Sequence, residues 1–214
     1  GSQAWCGAMN DPLQADDART RELEARLAAV RERIARAAAA AGRADDPPRL
    51  IVVTKFHPAE DIRRLAALGV TDVGENRDQE ASGKAAELAD CGLTWHFVGQ
   101  LQTKKAKSVV RYAAAVHSVD RPHRGGAAAA DVPVLADSID AAAGLRLAGV
   151  MAVAPLGAQP GPAFEKLAGI SARLVAGHPG ATAISAGMSR GLAAAGLFGA
   201  THLRIGSDIL GSRP

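Results

Sequence analysis

The residues with the clearest chemical potential stand just behind apolar runs. "LIVVTKFHP" (50–58) sets Lys55 after Leu50 to Val53, a mostly β-branched stretch, and closes at Pro58. A lysine at such a point commonly snorkels to water. Held against apolar walls it has a second use: the ammonium form loses solvation, the pKa falls, and the free amine attacks aldehydes. Two later runs, "SAGMS" (185–189) and "RIGS" (204–207), follow apolar segments with small residues. Glycine there lets the backbone approach an anion, successive N–H groups can cradle phosphate oxygens, and serine hydroxyls can donate. Each run alone is a common turn. Together, an amine and a phosphate cup select a phosphorylated aldehyde, with pyridoxal 5′-phosphate (PLP) the obvious candidate.

These residues must be positioned by the elements that precede them. "DDARTRELEARLAAVRERIARAAAAAG" repeats Leu23, Leu27, Val30 and Ile34 at helical spacing and stops at Gly42. The chain then alternates. Strands are expected at 50–54, 70–74, 94–99, 115–120, 132–136, 145–154, 181–187 and 201–206, mostly separated by helical patterns such as 59–69 and 162–177. Strands alternating with helices imply a parallel sheet, and eight units imply an α/β fold closed as a (β/α)₈ TIM barrel, with a doubly wound open sheet as the competitor. In a barrel, ligands bind on the loops after the strands. That rule selects Lys55, "GEN" (74–76), "GQLQTKK" (99–105), "SVD" (118–120), "SAGMS" and "RIGS". One region fits badly: 121–131 and 137–144 are short for parallel crossovers, which need about a dozen residues. The middle is truncated, or its helices are shrunken.

Composition sets the outer bounds. In 214 residues, 48% are hydrophobic, 22% charged and 3% aromatic, so aliphatic side chains fill the interior of one domain. The net charge of +3 is too small for a nucleic-acid binder. Residues 1–16 read as a tag or a disordered N-terminus, and 17–214 as a single barrel domain. The two cysteines, Cys6 and Cys91, suggest no disulfide framework. With no membrane-length apolar run and no signal pattern, a cytoplasmic protein without membrane partners is expected. The six histidines show no metal-binding spacing. Glu75, Gln79 and Glu80 read as organisers of the second loop or of a helix start rather than ligand contacts, the "TKKAK" run as a solvated helix face, and Tyr112 as packed in a helix behind the third strand.

"VVTKFHP", "GENRDQE", "WHFVGQLQTKK", "HSVD", "GVMAVAP", "SAGMS" and "RIGSDILGSR" occur in one order, from about residue 20 to the end. Together they resemble the pyridoxal phosphate homeostasis proteins. The resemblance implies a fold type III PLP-binding barrel like the N-terminal domain of alanine racemase, with PLP held as an internal aldimine on Lys55. Ser189, with Gly206 and Ser207, would hold the phosphate, and Ser185, Gly187 and Met188 share the same cofactor-binding turn. Arg204 would face the pyridine nitrogen, and Asn76 would lie near the ring. A guanidinium accepts no proton, so the ring would be a poor electron sink, and no second base is visible. The implied role is therefore sequestration and delivery of PLP to PLP-dependent apo-enzymes by a monomer without catalytic residues. A small PLP-dependent racemase or lyase using Lys55 as base is the alternative, and a barrel aldolase acting on a sugar phosphate is the third reading. The chain departs from the family at Arg190, where the helix start is usually acidic, and in its short middle.

Overall fold

Asp17 opens the first helix, α1 (Ala18–Ala40). Its carboxylate accepts the Thr20 N–H at 2.6 Å, a cap that satisfies one of the free donors of the first turn. The Thr20 bonds, followed by the one from Arg64, hold this carboxyl down to about 2. Leu23, Leu27, Val30, Ile34 and Ala38 form the buried stripe that the spacing predicts. The structure, a computed structural model, describes residues 17–117, 126–153, 159–188 and 191–214. The expectations for 1–16, for "SVD" and for Ser189 and Arg190 lie outside the described residues.

After α1 the chain runs through β1 (Arg49–Val53), α2 (Ala59–Ala67), β2 (Asp72–Glu75), α3 (Asp78–Glu87), β3 (Thr94–Val98), α4 (Ala106–Val109) and β4 (Ala113–His117). Then follow α5 (Val132–Ala141), β5 (Gly149–Met151), α6 (Pro160–Gly177), β6 (Ala183–Ser185), α7 (Leu192–Leu197), β7 (His202–Ile205) and α8 (Ser207–Leu210). The strands form one sheet in the order β4-β3-β2-β1-β7-β6-β5. Pairing is parallel, with Val53 opposite Gly74, Glu75 opposite Phe97, and Met151 opposite Ser185. Strands with helices on their connections are buried on both faces, which is why β1 reads as a continuous apolar run and all four residues of β2, Asp72 and Glu75 included, are buried.

Among the described residues two compact units can be distinguished, one within 17–33, 50–116 and 204–214, the other within 34–49 and 117–203. In the first, Ile51, Val52, Ile62, Leu65 and Val73 are fully buried. Arg19 of α1 donates to both oxygens of Asp61 on α2, at 3.2 and 2.8 Å, and also to the Leu210 carbonyl at 3.0 Å. In the second, Ala136, Leu174 and Ala181 make a small core against which Val132, Leu147 and Val150 pack.

The segment "VPVLA" (132–136), expected as a strand, is the first half of α5. A short apolar run cannot by itself tell strand from helix. Pro133 sits in the first helical turn, where its missing N–H is harmless, and Ala136 one turn after Val132 faces the Leu174 core. The two crossovers that looked too short are thus one crossover with one helix. Seven strands, not eight, stand among the described residues. The strand expected over 145–154 is confined to Gly149–Met151.

Asp61 gives the first unit a testable acid response. Burial pushes its carboxyl up, but the bonds and charges of Arg19 and Arg64 outweigh this and hold it below the ordinary value. A depressed carboxylate adds stability above its unfolded pKa of about 4, and that stability is lost as the pH falls through the folded value. Asp61→Asn should cost about 2 kcal/mol near neutral pH. In urea titrations at several pH values, the gap to the parent protein should narrow below about pH 4; a gap independent of pH would refute the assignment.

Candidate functional site

The end of β1 is held by backbone and side-chain bonds together. Thr54 is fully buried, its N–H donates to the Gly74 carbonyl at 2.9 Å, and its hydroxyl donates to Glu75 Oε1 at 2.9 Å. Lys55 follows, half-buried, inside a turn closed by the His57 N–H on the Thr54 carbonyl at 3.1 Å. Phe56 takes φ = 68°, a left-handed conformation that is an outlier for a bulky side chain. Its N–H donates to Glu80 Oε1 at 2.8 Å, and the guanidinium carbons of Arg77 and Arg213 lie 4.6 and 4.5 Å from its ring centroid. Beneath the turn, Lys84 Nζ donates to Glu75 Oε1, Glu80 Oε1 and the Thr54 carbonyl at 2.6, 2.7 and 3.1 Å.

β7 delivers the closing turn to the same place. Arg204 is 3% exposed, and burial pulls its guanidinium down to about 10, so it remains charged at neutral pH. Gly206 follows, and a Cβ there would lie 3.1 Å from the Val53 carbonyl oxygen and 3.3 Å from Val53 Cβ. Only a residue without a side chain sits easily so close to the strand that presents Lys55. Ser207 is exposed at the start of α8. Asn76 is exposed after β2 and lines a cavity of about 470 Å³ with Gln100, Gln102 and Lys105. Lys55, Asn76, Arg204, Gly206 and Ser207 therefore all belong to the first unit.

Ser185, Gly187 and Met188 belong to the second unit. Ser185 ends β6 in a buried position, its hydroxyl 2.7 Å from His117 Nδ1. Gly187 has φ = 97°, and a Cβ would come 2.6 Å from Ala195 Cβ and 2.8 Å from Leu203 Cδ2. Met188 is 46% exposed, and Ser189 lies outside the described residues. Sequence reasoning missed Lys84, although a glutamate four residues ahead of a lysine on one helix was the available signal. It also missed the His117–Ser185 pair, which joins residues 68 apart. Tyr112 packs as expected: its hydroxyl donates to Asp78 Oδ1 at 3.1 Å, and burial with this bond raises its pKa.

No family model matches the chain. Its similarity to individual proteins is nevertheless extensive. It is 41% identical to the pyridoxal phosphate homeostasis protein of Corynebacterium glutamicum, over 78% of this chain and 90% of the relative. The chain belongs to the pyridoxal phosphate homeostasis protein family. The Mycobacterium tuberculosis (H37Rv) member is 36% identical across 94% of this chain and 96% of its own length. That alignment runs over 249 residues while using 94% of a 214-residue chain, so this relative carries internal residues without counterparts here.

Among solved structures, PipY of Synechococcus elongatus, a structure with PLP bound, matches with a TM-score of 0.71 and 30% identity over 88% of this chain and 99% of PipY. The alanine racemase of Bartonella henselae matches with a TM-score of 0.64 at 14% identity, over 91% of this chain and 61% of the racemase. The second likeness carries the fold alone: a parallel β/α barrel of the alanine racemase kind. Family membership does not remove the local constraint at Gly187. Gly187→Ala should lose about 2 kcal/mol through a strained φ and two overlapping contacts, read as a lowered urea midpoint; an unchanged midpoint would contradict the geometry.

Proposed function

We propose that this protein binds PLP through Lys55 and holds it for intracellular cofactor homeostasis, sequestering a reactive aldehyde and releasing it to PLP-dependent apo-enzymes without turnover. One observation carries the reading: the glycine turn after β7 lies against Val53, so small residues flank the strand end that presents the amine. The names of the relatives and the PLP-bound PipY structure support the same ligand.

The residues present fit the cofactor. A Cβ would fill the space that Gly206 leaves open beside Val53. Bound PLP supplies an aldehyde that condenses with amines and a ring that withdraws electrons. In this reading Lys55 is the amine, and Gly206 and Ser207 donate to the phosphate. Asn76 stands beside the ring. Arg204, charged and unable to accept a proton, holds the ring nitrogen in its unprotonated form and so keeps the ring a weak electron sink. The sole tyrosine is committed to Asp78, which leaves a racemase reading without a tyrosine base. The working form is a cytoplasmic monomer; among the described residues no helix is long and apolar enough to cross a membrane.

Borohydride treatment of the PLP-loaded protein followed by peptide mapping tests the assignment. The pyridoxyl label should fall on the peptide carrying Lys55, and Lys55→Ala should abolish it. A label on another lysine, or sustained exchange of amino-acid α-protons in deuterated water, would overturn the proposal.

A further inference from the structure

Both neighbours of Lys55 are fastened to one buried ammonium group. On the N-terminal side, Lys84 Nζ takes the Thr54 carbonyl at 3.1 Å and shares Glu75 Oε1 with the Thr54 hydroxyl. On the C-terminal side, it shares Glu80 Oε1 with the Phe56 N–H. We propose that Lys84, acting through Glu75 and Glu80, is the positioning residue that sets the backbone at Lys55 and thereby the rate at which the Lys55 amine captures its aldehyde. This rests on the reading of Lys55 as the PLP-bearing amine.

A solvated helix pair would be the bland account of Glu80 and Lys84, which stand four residues apart on α3. Burial argues against it. The side chains of Lys84 and Glu75 are 9% and 0% exposed, so their ions have been withdrawn from water. Buried ion pairs of this kind often add no more stability than apolar residues of the same size, and positional specificity is the better reason to keep one. The strained φ of Phe56 points the same way. A bulky residue in the left-handed region persists only where its surroundings over-determine it, and here the Glu80 carboxylate and two guanidinium groups do so one residue past Lys55. An ammonium that donates all three of its Nζ protons has no lone pair with which to attack, so Lys84 held in this way does not compete for an aldehyde.

The test compares full-length variants that remain folded by near-ultraviolet circular dichroism. Lys84→Met combined with Glu75→Gln removes the network without leaving a lone buried charge. Glu80→Ala removes the Phe56 anchor, whereas Glu80→Gln keeps an oxygen for it. Capture is followed by visible absorbance with PLP and with phosphate-free pyridoxal, and the label is located by borohydride mapping. The double variant and Glu80→Ala should capture both aldehydes about ten- to a hundredfold more slowly, while Glu80→Gln recovers most of the loss. A folded variant that captures both aldehydes at the parent rate overturns the proposal, as does a defect confined to PLP, which would lie in the phosphate contacts. If the double variant does not fold, the Glu80 pair decides by the same criteria. A parent protein labelled somewhere other than Lys55 overturns the binding assignment together with this inference; a parent labelled at Lys55 with unaffected variants overturns this inference alone.

Discussion

A charge taken out of water must be fully compensated, and the end of β1 is organised around one that is. Lys84 is withdrawn beneath the strand end, and its three donors meet two carboxylates and a backbone carbonyl. Those acceptors are not interchangeable with solvent, because each is also committed to the turn that carries Lys55. Backbone hydrogen bonds fix β1 against β2, but they end at Thr54; from there onward the ion network takes over. The chain leaves regular structure at this point without leaving a defined geometry.

The second constraint is steric. A parallel sheet brings the ends of neighbouring strands to one rim, and the residues just past those ends must share a small space. Gly206 meets this demand by having no side chain beside Val53. Phe56 meets it differently: it accepts a left-handed backbone and lays its ring under Arg77 and Arg213. Arg213, near the end of the chain, and Arg77, just after β2, therefore stabilise the same turn from far-separated positions in sequence. Cation–π contact is well suited to this task because it tolerates small errors in placement better than a linear hydrogen bond does.

Much of this could be read from residue types alone. An apolar run with β-branched residues located β1, the alternation of short strand and helix patterns located β2 and β3, and the helical stripe of Leu23, Leu27, Val30 and Ile34 is buried as its spacing requires. "VPVLA" was misleading because its five residues are compatible with either period, and the deciding contacts with Leu174 and Ala181 come from much later in the chain. Lys55 was legible because position after a strand is a local property. Lys84 was not, because the Glu80–Lys84 spacing marks a helix pair without telling whether the lysine faces solvent or turns inward to a strand end. Glu75 and Glu80 were legible as loop organisers but not as a pair of anchors: the partner of Glu75 is the hydroxyl of Thr54, 21 residues back, and that of Glu80 is the Phe56 backbone N–H, which carries no sequence signature.

The two carboxylates around Lys84 respond to acid in opposite senses, which bears on how the turn is held. For Glu75, burial dominates and raises the pKa despite the bonds from Lys84 and Thr54. For Glu80, burial also acts upward, but Lys84, the Phe56 N–H and Arg77 prevail and hold it down. The difference follows from exposure, since the Glu75 side chain is wholly enclosed while a quarter of Glu80 meets solvent. A carboxylate raised on folding gains stability as the pH falls through its folded value, and a depressed one loses it there, so the two contributions oppose each other across the acid range. Protons reach Glu75 first, its Oε2 being buried without a hydrogen-bond partner among the described residues. Glu80, still ionised, keeps both Lys84 and the Phe56 N–H. The turn therefore retains its C-terminal anchor under conditions that weaken the other, because the partly solvated carboxylate holds the strained residue and the enclosed one holds the residue that the sheet already supports.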